Sequence, residues 1–111
     1  MSETEYSALT EAVYYILLSL YQPLHGYGII QYVEEISDGR VVLAPGTLYG
    51  ALSTLQEKGF IKPVNTDNDS RRKEYLITSL GKDMVKKEIA RLKELVENGE
   101  KTVGENLNEN S

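Results

Sequence analysis

The 111 residues contain no cysteine and no tryptophan, and histidine occurs once. The lack of cysteine removes disulfides and thiolate metal ligands, and His25 alone cannot build a zinc or di-iron centre. No metal and no cofactor are therefore expected. His25 stands in Leu24-His25-Gly26-Tyr27 with no Ser or Cys nucleophile motif, and the chain has no Gly-rich phosphate loop. Lacking a catalytic set, the chain is expected not to be an enzyme. Long apolar runs are missing as well: the longest, Ala12 to Leu18, is about a third of the roughly 20 residues that span a bilayer. No membrane partner is expected. The opening Met1-Ser2-Glu3-Thr4-Glu5 is acidic where a secretory leader would be basic, which predicts a cytoplasmic location.

Positive charge is also missing from one part of the chain. Residues 1–39 hold six acids and no Lys or Arg, residues 40–93 hold eleven bases and six acids, and residues 94–111 hold one base and five acids. A net charge of −5 argues against nucleic acid, because DNA affinity comes largely from Lys and Arg neutralising phosphates. The distribution turns that argument round, since a basic middle between acidic ends suits a DNA-binding surface inside an acidic shell. Chance clustering on solvated helices would give the same counts and stays open.

With 41% hydrophobic and 26% charged residues, a chain of this length has the balance of one globular folding unit. Leu9, Val13, Ile16, Leu17 and Leu20 follow helical spacing and predict a first helix over about 5–21, ended by Gln22-Pro23. Tyr6, Tyr14, Leu18 and Tyr21 widen its apolar arc beyond what one core requires. A second helix is predicted over about 25–37, with Ile29, Val33 and Ile36 inward and Asp38-Gly39 as its left-handed stop. Pro45 suits the first position of a third helix over about 45–58, buried along Leu48, Leu52 and Leu55 and closed at Gly59-Phe60 in a Schellman turn.

The period then becomes extended. Strands are predicted at about 60–64 and 73–77, joined through the turn formers Asn65 to Ser70, with Pro63 confined to an edge. Thr78 is the expected N-cap of a fourth helix over 79–98, where Val85, Ile89, Leu92 and Val96 make a coiled-coil-like seam. Residues 99–111, rich in Gly and Asn, are expected to be a flexible tail. The fold class is thus α+β and mostly helical: a winged helix-turn-helix over 1–78 followed by a long C-terminal dimerisation helix.

In such a fold the third helix enters the major groove. Its outer side offers Thr47, Tyr49, Gly50, Ser53 and Thr54, which bond base edges and phosphates without bulk. Arg71, Arg72 and Lys73 lead into the second strand and suit phosphates, while Tyr27 opens the second helix near the backbone. Each residue also has a plainer reading. Tyr49 can fill the core edge, the three cations can pair with Asp67, Asp69 and Glu74, and His25 and Tyr27 can serve capping or packing. Tyr6, Tyr14, Leu18 and Tyr21 with Val85, Ile89, Leu92 and Val96 are the candidate homodimer interface; the alternative is that the fourth helix packs back on the first.

The motifs His25-Gly26-Tyr27-Gly28-Ile29, Pro45-Gly46-Thr47-Leu48-Tyr49 with Leu52 and Leu55, Gly59-Phe60-Ile61, Arg71-Arg72-Lys73-Glu74-Tyr75 and Thr78 to Gly81 resemble, in order and spacing, the PadR family of bacterial repressors across about residues 9–82. The resemblance implies a winged-helix homodimer on pseudo-palindromic operator DNA, with the third helix as reader, the hairpin as wing and the last helix as dimer arm. The short arm looks like the compact subfamily without a larger C-terminal domain. Two departures stand out. Many relatives carry an aromatic pair where this chain has Glu74-Tyr75, so Glu74 is expected to face away from DNA. Some compact relatives hold flat aromatic drugs between interface tryptophans, which are absent here; Tyr6, Tyr14 and Tyr21 are the candidates for lining a substitute pocket for a small hydrophobic effector. The functional expectation is a transcriptional repressor that binds double-stranded DNA. The rival is a winged-helix protein-interaction module that never touches DNA.

Overall fold

The computed structural model describes residues 8–65 and 72–110. Its elements run α1 (Glu11–Ser19), β1 (Leu24–His25), α2 (Gly26–Ile36), α3 (Pro45–Glu57), β2 (Ile61–Pro63), β3 (Glu74–Ile77) and α4 (Ser79–Asn110). One core joins them, with Ile16, Leu17, Leu20, Ile29, Val33, Leu48, Leu52, Leu55, Ile61, Ile77 and Val85 all buried. Burying a side chain of this kind stabilises by about 1.5–3 kcal/mol, so the leucine line of α3 is what anchors that helix to the body.

The first helix is shorter than its apolar pattern predicts. Thr10 is extended, and its Oγ1 accepts from the Val13 amide at 3.2 Å, which starts α1 there. At the other end the Leu20 and Tyr21 amides reach back only three residues, to the Leu17 and Leu18 carbonyls, so the last turn tightens before Pro23. The predicted start at residue 5 lies outside the described residues.

His25 caps α2: its Nδ1 accepts from the Gly28 amide at 3.0 Å. Gly26, Ile29, Val33 and Ser37 form the buried stripe. Ile36 is therefore a correction, since it lies off that stripe and is 44% exposed. Ser37 takes the inner position because its hydroxyl donates to the Val33 carbonyl at 2.8 Å and accepts from the Val41 amide at 3.0 Å. Asp38 and Gly39, at φ 55° and 77°, make the left-handed stop. Replacing His25 with Ala is expected to lower stability by about 1 kcal/mol in urea unfolding, and replacing it with Asn, another good cap, by much less.

The Schellman closure of α3 forms as expected, with the Phe60 amide on the Leu55 carbonyl and the Gly59 amide on the Gln56 carbonyl, both at 3.0 Å, and Gly59 at φ 82°. The sheet has three strands rather than two, in the order β1-β3-β2, all antiparallel. A two-residue strand has too little period to be seen in sequence. β1 pairs Leu24 with Tyr75 and His25 with Glu74, leaving β3 central and Pro63 on the edge strand β2.

The joint between β3 and α4 is tight. Thr78 Oγ1 accepts from the Gly81 amide at 3.1 Å and donates to the Gly59 carbonyl at 2.6 Å, while the Thr78 amide bonds the Phe60 carbonyl at 3.0 Å. From there α4 continues to Asn110, which corrects the predicted end at 98 and makes residues 99–110 helical. Gly99, Gly104 and the asparagines lower helix propensity by about 0.5–1 kcal/mol each, but propensity is a weak prior, and no proline interrupts the run. Ser111 lies outside the described residues.

Candidate nucleic-acid interface

The outer side of α3 is open and small. Thr47, Gly50, Ser53 and Thr54 are exposed, opposite Leu48, Leu52 and Leu55, and a side chain added at Gly46 or Gly50 would meet nothing within 4 Å. By helical spacing Glu57 ends the row of Gly50 and Ser53, and Lys58 follows Thr47 and Thr54 at the C-cap. Glu57 went unnoticed in the sequence because it looked like an ordinary solvated acid; its place on the row could have been found from the i, i+4 spacing to Ser53. A carboxylate here repels phosphate, although it can accept from a cytosine amino group. Tyr49 sits on the flank of α3, 39% exposed.

The wing is held at its base by Asn65. Its side-chain nitrogen donates to the Arg72 carbonyl at 2.9 Å and its oxygen accepts from the Glu74 amide at 3.1 Å. Arg72 is exposed and Lys73 half-buried, and among the described residues no acid pairs with either. Arg71, Asp67 and Asp69 lie outside the described residues. Glu74 is half-buried opposite His25 in the β1-β3 register. Tyr27, second in α2, is 66% exposed. Burial raises the pKa of Tyr75, helped by the nearby Tyr49.

The candidate dimer residues do not all belong to one surface. Val85 is 2% exposed and part of this chain's own core, so it is a core residue and not a docking one. The helix is anchored on the body through its first turns, which settles part of the seam in favour of packing within the chain. Ile89 and Leu92 are half-buried, and with Tyr14 and Val96 they line a groove of about 370 Å³ beside α1. Leu18 is half-buried, and Tyr21 is exposed with Lys82 5.6 Å over its ring; burial, then Tyr14, raises the Tyr21 pKa. Tyr6 lies outside the described residues. Leu95, Val96 and Val103 are exposed farther along α4.

Glu88 is a second residue that sequence reasoning missed. It is 2% exposed on α4, and Arg91 donates to it through Nε at 3.0 Å and through a second guanidinium nitrogen. A charge this deep needs such pairing, and only its i, i+3 arginine signalled it. A second pair, Arg40 with Glu11, ties the segment after α2 to the first turn of α1; Arg40 lowers the Glu11 pKa and Glu11 raises that of Arg40. Among the described residues no helix is long and apolar enough to cross a membrane.

Comparison with known proteins places these features in a family. The family model described as the transcriptional regulator PadR-like family matches residues 15–87. A transcriptional regulator from Clostridium thermocellum is 25% identical, with 86% of this chain and 90% of that one covered and a TM-score of 0.64. A PadR family transcription regulator from Clostridium difficile is 28% identical over 81% of this chain and 97% of its own, at a TM-score of 0.59. An uncharacterized 37.1 kDa protein in transposon TN4556 of Streptomyces fradiae is 36% identical over 66 residues, covering 60% of this chain and 18% of that protein. The chain thus spans less than a fifth of that longer relative.

Proposed function

The chain belongs to the PadR-like family of transcriptional regulators, and from that premise we propose that it is a repressor that binds pseudo-palindromic operator DNA as a homodimer. The observation that carries this reading is the open polar face of α3, where Thr47, Gly50, Ser53 and Thr54 stand clear of the core on a helix anchored by three buried leucines. That face reads base edges in the major groove. Arg71, Arg72 and Lys73 of the wing and Tyr27 at the start of α2 hold the flanking phosphates. Fluorescence anisotropy with a duplex from the gene's own upstream region tests it. Operator binding should exceed binding to an unrelated duplex by at least about a thousandfold, and its affinity should fall steeply with salt. Equal affinity for both duplexes would remove the operator-specific reading, and binding to neither would leave the protein-interaction reading in its place.

Dimerisation is supported by the way the apolar stripe of α4 runs on past the core. Val85 is covered by this chain, whereas Leu95, Val96 and Val103 are bare on the far half of the same helix. A single winged helix buries only about 600–1,000 Å² on DNA, so a second copy supplies both the cover and the second half-site. Charging the stripe with V96E and V103E together is expected to give a monomer in sedimentation velocity with an unchanged helical spectrum. A dimer that survives the two charges would move the interface elsewhere. The groove beside Tyr14 is the place for a small hydrophobic effector, which releases the operator only if it binds the released arrangement of the dimer more tightly.

A further inference from the structure

Tyr49 stands apart from the other residues of the reading helix. Thr47, Gly50, Ser53 and Thr54 are exposed, but the end of the Tyr49 ring lies against the first turn of α2. A Cβ built on Gly26 would lie 2.9 Å from Tyr49 Cζ and closer still to its Oη. Real side chains do not approach so closely, so glycine at 26 leaves the space that this ring occupies. Gly26 is itself buried, at the point where His25 caps α2 and where β1 joins β3. The ring thus reaches from the flank of α3 to the root of α2. Tyr75, which Tyr49 influences electrostatically, is the buried centre of β3, paired with Leu24 on one side and Pro63 on the other.

We propose that Tyr49 is a positioning residue: its ring, wedged over Gly26, sets the angle of α3 against α2 and the wing, and its hydroxyl is not the group that recognises DNA. The proposal rests on the DNA-binding reading above and refines it. A rigid ring with two rotatable bonds suits this work, because it transmits position through contact with backbone that cannot swing aside. The leucines fix how deeply α3 sits, and they all lie on one side of the helix. Rotation about the helix axis is restrained from the flank, which is where Tyr49 is.

The test uses the full-length protein, an operator duplex and an unrelated duplex of equal length. Y49F keeps the ring and is expected to bind the operator within about twofold of wild type, since only a non-contacting hydroxyl is lost. Y49A and G26A, one removing the wedge and the other displacing it, are expected to weaken operator binding about tenfold or more while changing binding to the unrelated duplex by less than about threefold, because phosphate contacts persist when base contacts are misaligned. Combining G26A with Y49F removes the atom nearest the new methyl and should recover part of the loss. That recovery separates a displaced ring from a damaged fold, and far-UV circular dichroism confirms that each variant is folded. If Y49A or G26A fails to fold, Y49F and the double variant decide the matter. Operator binding lost in Y49F as severely as in Y49A would overturn the proposal, as would wild-type binding in G26A or no recovery in the double variant. A wild-type protein that does not distinguish the two duplexes removes the operator-binding reading itself, a result easily told apart from these.

Discussion

Replacing Arg71, Arg72 and Lys73 together with glutamine is expected to weaken binding to every duplex, operator or not, by about 100-fold or more near 0.1 M salt, and to reduce the slope of log affinity against log salt by about 2 to 3. The argument is one of counterions. Each cation seated on a phosphate releases about 0.9 of a condensed ion, so three lost contacts remove a nearly equal number from the slope. Arg72 is exposed and Lys73 half-buried, at a wing base that Asn65 holds closed, so these two cations are presented from a fixed root. The chain carries a net charge of −5, so the acids elsewhere repel the duplex and binding leans on the cations that do reach phosphate. Lys101, far along α4, supplies the control: K101Q should leave both affinity and slope unchanged. A triple variant with unaltered slope would show that the wing does not touch phosphate.

Gly81→Ala should be among the most damaging single changes in the fold, at about 3 kcal/mol or on the order of 15 °C in Tm by differential scanning calorimetry. A methyl there would run into the Phe60 carbonyl and come within 2.7 Å of Ile77 Cγ1. The carbonyl cannot retreat, because the Thr78 amide is bonded to it and the neighbouring Gly59 carbonyl accepts from the Thr78 hydroxyl. Helix propensity alone predicts the opposite sign, since alanine is favoured over glycine inside a helix by about 1 kcal/mol. Close approach therefore decides the outcome. Ala at Gly99, where an added side chain meets nothing within 4 Å, should instead stabilise slightly.

Features with a local cause could be read from sequence. Pro45, the Leu48-Leu52-Leu55 line and the Gly59-Phe60 closure identify α3 because each acts within a few residues. The same holds for the Asp38-Gly39 stop and for Thr78 as a cap. What depends on a distant partner was not visible. β1 exists only because β3 lies beside it, and Ile36 yields the inner position to Ser37 because of hydrogen bonds made at the end of the helix. Val85 matches the spacing of Ile89 and Leu92, but spacing cannot say whether this chain or another covers it. Helical period likewise put Tyr49 beside the reading face, while its closeness to Gly26 is a fact of tertiary structure. Tyr6 and Arg71 lie outside the described residues, so their roles rest on sequence and resemblance.

β3 ends at Ile77 and α4 begins at Ser79, so a single residue separates the wing from a 32-residue rod. Such a rod is about 48 Å long, and a tilt of about 5° at its base sweeps its far end through roughly 4 Å. Run in reverse, the same leverage means that a displacement of several ångströms at the tip arrives at the wing as only a slight rotation. Whatever moves the tip of this rod is thus geared down, which lets a coarse event at one extremity make a fine adjustment at the other.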